Sequence, residues 1–194
     1  MLYAIVCALI IVLFVAELFY LITLIQRVIS VHILHKVPIV SSTRCLRRAV
    51  VRAINQHYPD ARTAYEIGSG YGGLARKMAR RCGLNVTALE YMPVCAWVSH
   101  MLDRITFANS KTVRCDAFKY LETAKHVDIA VSYMGPADND LIIKMHNRFD
   151  VLILVDVPVK HTKPTRVIDI GYGGTKIGTT YYPHKLYVYE FSHK

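Results

Sequence analysis

Apolar positions along the chain fall first into one unbroken run and then into short periodic segments. Residues 1–25 are almost wholly apolar or aromatic, with Glu17 as the one charged residue. As a helix rising about 1.5 Å per residue the run is roughly 37 Å long, more than the ~30 Å of a bilayer core. Nothing basic precedes Gln26 and no small-residue cleavage site follows, so the run reads as an uncleaved transmembrane signal anchor rather than a signal peptide. Residues 26–41 then read as a juxtamembrane linker. From Ser42 onward the periodicity is that of a globular domain, residues 42–194.

Ser42 or Thr43 can cap a helix with Leu46, Ala49, Val50, Ala53 and Ile54 on one face and Arg44, Arg47, Arg48 and Arg52 on the other. Pro59-Asp60 ends it before a strand at 63–67. After the stretch Gly68-Ser69-Gly70-Tyr71-Gly72-Gly73, apolar Leu74, Ala75, Met78 and Ala79 recur at helical spacing, and Gly83 stops that helix. A strand at 85–89 ends on Glu90. Pro93 suits the first turn of a helix whose buried stripe is expected to be Val94, Trp97, Val98, Met101, Leu102 and Ile105. Further strands are expected at 111–115, ending on Asp116, at 127–131, before Ser132-Tyr133-Met134-Gly135-Pro136, and at 151–157, with a helix at 138–147. The chain closes with two strands near 166–170 and 185–191, joined by a glycine-, threonine- and tyrosine-rich loop. Strand and helix alternate, so the class is α/β with a mostly parallel sheet. No internal repeat or low-complexity tract appears.

Composition adds a location and a class of partner. Lysine and arginine total 24 against 14 acids, a formal net charge of +10, which favours an anionic partner. No acid occurs between Glu17 and Asp60, while Arg27, Lys36, Arg44, Arg47, Arg48 and Arg52 do. The positive-inside rule therefore puts the globular domain on the cytoplasmic side of a single-pass membrane protein, or on the matrix-equivalent side. The arginine stripe of the first globular helix is either a solvated face or a contact for anionic lipid headgroups. Glu17 reads as a protonated or interfacial carboxyl, or else as a contact within the membrane. His32 and His35 lack a third ligand nearby and read as interfacial polar residues. The 5 cysteines are widely spaced and form no Cys-x-x-Cys, so no metal site or disulfide framework is expected.

In a parallel sheet the ligand lies beyond the carboxyl ends of the strands, near the switch in strand order. Glu66, Gly68, Gly70, Glu90, Asp116, Phe118 and Tyr133 all fall at such ends. The glycines with the helix behind them would hold an anionic or polar ligand. Gly68-x-Gly70-x-x-Gly73 with Glu90 also satisfies the dinucleotide fingerprint. Against that reading, Glu66 would oppose a pyrophosphate but suits a ligand carrying an ammonium group, and Asp116 suits an adenine amino group.

Glu66-x-Gly68-x-Gly70-x-Gly72, then Glu90, then Asp116-Ala117-Phe118, resembles the motifs of class I S-adenosylmethionine-dependent methyltransferases. The resemblance implies a Rossmann-like seven-stranded sheet with its last strand antiparallel, and S-adenosyl-L-methionine as cofactor. It implies a cofactor site of Glu66, Gly68, Ser69, Gly70, Gly72, Glu90, Tyr91, Asp116, Ala117 and Phe118. In it Glu66 and the turn serve the methionine portion, Glu90 the ribose hydroxyls, and Asp116 and Phe118 the adenine. The anchor, Val37-Pro38-Ile39-Val40 and the basic helix are similar to the small membrane-anchored protein-lysine methyltransferases of mitochondria and their bacterial relatives, although Met92 stands where those carry Asn before Pro93. This implies N-methylation of a lysine in a membrane-associated protein, or of a lipid-like small molecule. Methyl transfer needs alignment more than an acid–base pair, and no catalytic triad is found. Tyr133 is the candidate for positioning the acceptor, whereas Asp138 and Asp140 read as a helix start. A nicotinamide-dependent oxidoreductase and a non-catalytic membrane adaptor are the alternatives. Nucleic acid is not expected as a partner.

Overall fold

The computed structural model describes residues 2–28, 42–177 and 180–191. Helix α1 (Leu2–Val28) is one continuous helix, and its segment Ile5–Ile25 is long and apolar enough to cross a membrane. It forms a unit of its own, separate from the globular unit. Most of the expected linker, including His32, His35, Lys36 and Val37-Pro38-Ile39-Val40, lies outside the described residues.

The globular unit runs α2 (Arg44–His57), β1 (Thr63–Ile67), α3 (Gly73–Cys82), β2 (Asn85–Glu90), α4 (Pro93–Thr106), β3 (Ser110–Arg114), α5 (Ala117–Thr123), β4 (Val127–Ser132), α6 (Pro136–Ile142), a 3₁₀ segment (Ile143–Arg148), β5 (Phe149–Val155), β6 (Arg166–Ile177) and β7 (Thr180–Glu190). Thr43 caps α2, its side chain accepting from the Leu46 N–H, and Gly83 ends α3 with a left-handed φ of 70°. The strands form one seven-stranded sheet in the order β3-β2-β1-β4-β5-β7-β6. Strands β1 to β5 are parallel, and β7 runs antiparallel to both β5 and β6. One apolar cluster packs α2 and α3 on one sheet face, around Leu46, Ile54, Met78, Ile129 and Ile153. A second fills the other face around Ile67, Leu121, Phe149 and Leu152. β5 is buried along nearly its whole length because both faces are covered.

Three expectations need correction. The 166–191 region is a long hairpin rather than two short strands with a loop, since pairing resumes from Gly174 opposite Pro183 to Ile177 opposite Thr180. The expected helix at 138–147 divides into α6 and a 3₁₀ turn, with Met145 off the helical backbone geometry at ψ 23°. The third is α4. Its buried residues are Cys95, Ala96, Ser99 and Asp103, whereas Trp97 (62% exposed), Met101, Ile105 (64%) and the following Phe107 (94%) face outward. The helical period is right and the face is wrong. Small residues let α4 approach β3 closely, and polar partners there hold Ser99 and Asp103 inward. Ser99 and Thr112 share a 2.7 Å hydrogen bond, Thr112 and Ser110 donate to Asp103 at 2.6 and 2.8 Å, and Arg76 of α3 pairs with Asp103 at 3.3 Å.

Candidate active site

The switch in strand order lies between β1 and β4, whose helices leave on opposite faces, and the candidate residues gather at this carboxyl edge. The turn after β1 bends through left-handed φ at Gly68 (73°), Gly70 (56°) and Gly72 (68°), conformations that glycine adopts without strain. It is pinned to β2, since the Gly68 and Ser69 N–H groups both donate to the Leu89 carbonyl at 3.0 Å. Gly72 lies against α4: a side chain there would collide with Ser99 Oγ.

The two acids at the turn each accept from backbone N–H groups. Gly72 cannot cap α3 with a side chain, and Glu66, reaching from β1, accepts from the Ala75 N–H at 2.7 Å instead. Burial pushes Glu66 up to about 8, against the opposing pull of that N–H and of the Arg76 and Arg47 cations. Glu90 accepts from the Gly70 N–H at 2.6 Å through one oxygen and from the Met92 N–H at 2.7 Å through the other. Burial also raises Glu90, opposed by the Met92, Gly70 and Tyr91 amides. Each carboxylate oxygen has a second lone pair, so these bonds leave acceptor capacity for a ligand.

Asp116 follows β3 and is joined to the same edge, because the Cys115 N–H donates to the Glu90 carbonyl at 3.0 Å. Its carboxylate caps α5, accepting from the Phe118 N–H at 3.0 Å. α5 itself, with Ala117 and Phe118 in its first turn, is not visible in the apolar pattern. Tyr91 is exposed at the rim and Tyr133 is half-buried just beyond β4. Ile67 pairs with Ser132, so Tyr133 follows the strand directly beside the glycine turn. Asp138 stands in the first turn of α6, and Asp140 accepts from the Lys160 N–H at 3.2 Å. No sequence signal marks Ser132, beyond its place at the start of the turn after β4, or Asn139 as a site residue. Ser132 Oγ, Ser69 Oγ and Asn139 Oδ1 are buried without a hydrogen-bond partner among the described residues. Two of these orphaned groups flank the switch point, in the turn after β1 and at the end of β4. Among the described residues no cluster of His, Cys, Asp or Glu is arranged to hold a metal ion.

The seventh strand, antiparallel and inserted between β5 and β6, separates this sheet from the all-parallel order of dinucleotide-binding domains. No protein-family model matches the chain, and none of the curated proteins matches it. Solved structures do. An RNA methyltransferase from Salinibacter ruber, in complex with S-adenosyl-L-homocysteine, superposes with a TM-score of 0.61 at 16% identity, over 80% of this chain and 95% of its own. A putative RNA methyltransferase from Pyrococcus horikoshii superposes at 0.57 with 14% identity, over 79% and 87%. A methyltransferase from Thiobacillus denitrificans, also with S-adenosyl-L-homocysteine, gives 0.51 with 16% identity, over 64% and 52%. The chain has the class I methyltransferase fold. The residues at its switch point fit the cofactor of that fold. Glu66 is a buried acid beside the turn, and hydroxyls without a hydrogen-bond partner stand within the turn at Ser69 and at the end of β4 at Ser132.

Proposed function

We propose that the chain is a membrane-bound S-adenosylmethionine-dependent methyltransferase that N-methylates a lysine of a membrane-associated protein. The observation that carries the methyltransferase part is the convergence of Glu66, the glycine turn, Glu90 and Asp116 on one edge of a sheet with an antiparallel β7. When bound, the cofactor supplies an electrophilic methyl group on a sulfonium. The chain's own part is to hold and align. Glu66 would take the ligand's ammonium, Glu90 the ribose hydroxyls, and Asp116 with Phe118 the adenine. Tyr133, beside the turn, would wall the acceptor's approach, and exclusion of water would do much of the rest.

Two further observations support the membrane. α1 is long and apolar enough to span one. α4 presents Trp97, Met101, Ile105 and Phe107 outward with Arg104 and His100 beside them, the arrangement of an interfacial helix on an anionic bilayer. The lysine acceptor rests on the resemblance described above. Incubating native membranes with methyl-labelled S-adenosylmethionine, with and without the protein, tests the whole reading. Label is expected in the protein fraction as methyl-lysine. Label confined to lipid or small molecules would replace the acceptor, and no incorporation with any fraction would sink the enzyme.

A second reading, RNA as acceptor, is favoured by one feature. A groove of about 470 Å³ between α2 and α3 is lined by Arg48, Val51, Arg52, Asn55, Gln56, Lys77 and Arg81, four cations without an acid. Burial and the charges of the surrounding arginines lower the Lys77 ammonium. Such a groove suits a phosphodiester backbone as well as lipid headgroups. Label appearing in the RNA fraction would select it.

A further inference from the structure

At the far side of the same edge stands a histidine–carboxylate pair that the reading above leaves unused. Asp156 directly follows β5 and is 0% exposed. Its φ of 66° is left-handed, one of two such non-glycine residues among those described. Strand alternation would carry its side chain to the face of Leu154, in the second cluster. The left-handed turn sends it instead to His184 of β7, whose Nδ1 lies 2.9 and 3.0 Å from the two carboxylate oxygens. Strain of this kind in a non-glycine residue persists where the surroundings enforce it and clusters at functional sites.

The hairpin is also built around this imidazole. Between Asp169 and Gly174 the β6–β7 register shifts, and the chain of β6 bulges opposite His184. Gly173, at φ 77°, lies so close to the ring edge that a Cβ there would sit 2.6 Å from Cδ2 and 3.0 Å from Nε2. Bulges recur beside active sites, where they aim a side chain.

Direction follows from the face. Val131, Val155, Leu186 and Val188 all belong to the cluster on the α2–α3 face, and Tyr133 packs against it. His184, two residues before Leu186, continues that face toward the carboxyl edge. Ser132 pairs with Leu154, and Val155 with Leu186, so Tyr133 is level with Leu186, two strand positions away, and His184 lies two residues further out. Two strand steps of ~4.8 Å and two residues of ~3.3 Å put these backbone positions roughly 12 Å apart, room for one acceptor group between the two side chains.

We propose that His184, held by Asp156, is the proton acceptor for the amine that receives the methyl group. Only an N–H can donate to a carboxylate, so the Asp156 bond fixes the proton on Nδ1 and leaves the Nε2 lone pair. The acceptor ammonium gives one proton to Nε2. The freed nitrogen pair would then form the bond to the methyl carbon while the electrons of the carbon–sulfur bond stay on sulfur, leaving a neutral thioether. The imidazolium afterwards returns its proton to water. Asp156 is a positioning residue, acting through the ring. Lys185, the next residue along β7, pairs with Asp169 of β6 at 3.5 Å.

The inference rests on the methyltransferase reading, and the test separates the two. The full chain in micelles, labelled with ¹⁵N-histidine and assigned by comparison with His184→Gln, is expected to show His184 as the Nδ1–H tautomer with a bare Nε2. Asp156→Asn is expected to mix the tautomers. The rate of labelled-methyl incorporation into native membranes is expected to rise with pH along one limb, as a base that must be free of its proton requires. In His184→Gln it should drop by about 100-fold and lose that limb, with S-adenosylhomocysteine affinity unchanged. A proton on Nε2, or a His184→Gln enzyme that keeps the limb and a rate within threefold of wild type, would overturn the proposal alone. A wild-type chain that binds no S-adenosylhomocysteine would overturn the methyltransferase reading and this one with it.

Discussion

Glu66 of β1 caps a helix to which it does not belong. Its carboxyl oxygen accepts the Ala75 N–H at 2.7 Å, so the first strand and α3 are locked together at the point where the glycine turn passes between them. The same group is buried and raised to about 8, mainly by loss of water. A ligand ammonium would favour the ionised form, so binding expels a proton. Affinity for S-adenosylhomocysteine is therefore expected to rise as pH increases toward 8 and then level, by at most about tenfold per unit. Calorimetry in buffers of different ionisation enthalpy reads the released proton directly. Glu66→Gln keeps an oxygen for Ala75 but should bind weakly and without pH dependence.

The same shift has a consequence for folding. Between the ordinary carboxylate range and pH 8 the folded protein holds a proton that the unfolded chain has lost. Stability from this group is thus full at low pH and falls as pH rises, by up to ~1.4 kcal/mol per unit. Glu66→Gln should be more stable than wild type at pH 8, with the advantage shrinking toward pH 5. Denaturation midpoints at the two pH values check the sign.

Glu90 ties together two segments that would otherwise diverge, the Gly70 turn and the entry to α4 at Met92. Removing the carboxylate strands two N–H groups in a mostly buried place. Glu90→Ala is expected to destabilise the domain by about 3 kcal/mol, the scale of two charge-assisted bonds partly replaced by water. Glu90→Gln, which can satisfy only one amide, should lose less. Chemical denaturation of both variants, read by circular dichroism, tests that order.

How much of this was legible beforehand depended on whether a feature was local. β1 runs from Thr63 to Ile67 as its apolar content and the flanking Pro59 and glycines imply, and Thr43 and Gly83 act as the caps their types suggest. The carboxyl-edge convergence followed from strand ends alone. α4 failed because periodicity gives a helix without saying which face a neighbour prefers. Thr112 and Ser110 on β3, and Arg76 on α3, outcompeted Trp97 for the interior by satisfying Asp103. Asp156 and His184 were invisible because a backbone φ and a cross-strand register bring them together. The one local trace is Asp156 itself, an acid inside the apolar segment 151–157 that the sequence pattern reads as one strand.

The Asp103 network makes a strong claim about α4. Its carboxylate takes bonds from Thr112, Ser110 and Arg76 in a site that is nearly dry. Asp103→Ala would leave the mostly buried Arg76 cation without its counter-charge and take the acceptor from the Ser110 and Thr112 hydroxyls, Thr112 keeping only Ser99, and the expected loss is about 3–5 kcal/mol. Replacing Asp103 and Arg76 together should restore part of it, because no uncompensated charge then remains. A double-mutant cycle on the denaturation midpoints measures that coupling. Additive losses would mean that the pair does not hold α4 in place.

With its polar side held inward, α4 has its apolar side left for something other than this domain. Trp97 is the only tryptophan in the chain, so its fluorescence reports that face alone. If α4 rests in the headgroup region of an anionic bilayer, Trp97 in proteoliposomes should emit at shorter wavelength than in water and be quenched by lipids brominated near the glycerol end of the acyl chain. Ile105→Asp and Phe107→Asp, both at exposed positions, should weaken the quenching while leaving the fold unchanged. High salt should weaken it less, since buried apolar area rather than Arg104 would then provide most of the attachment. A Trp97 that stays accessible to an aqueous quencher such as iodide, in vesicles that carry the inserted α1, would show the face turned away from lipid. It would leave a protein surface as its partner.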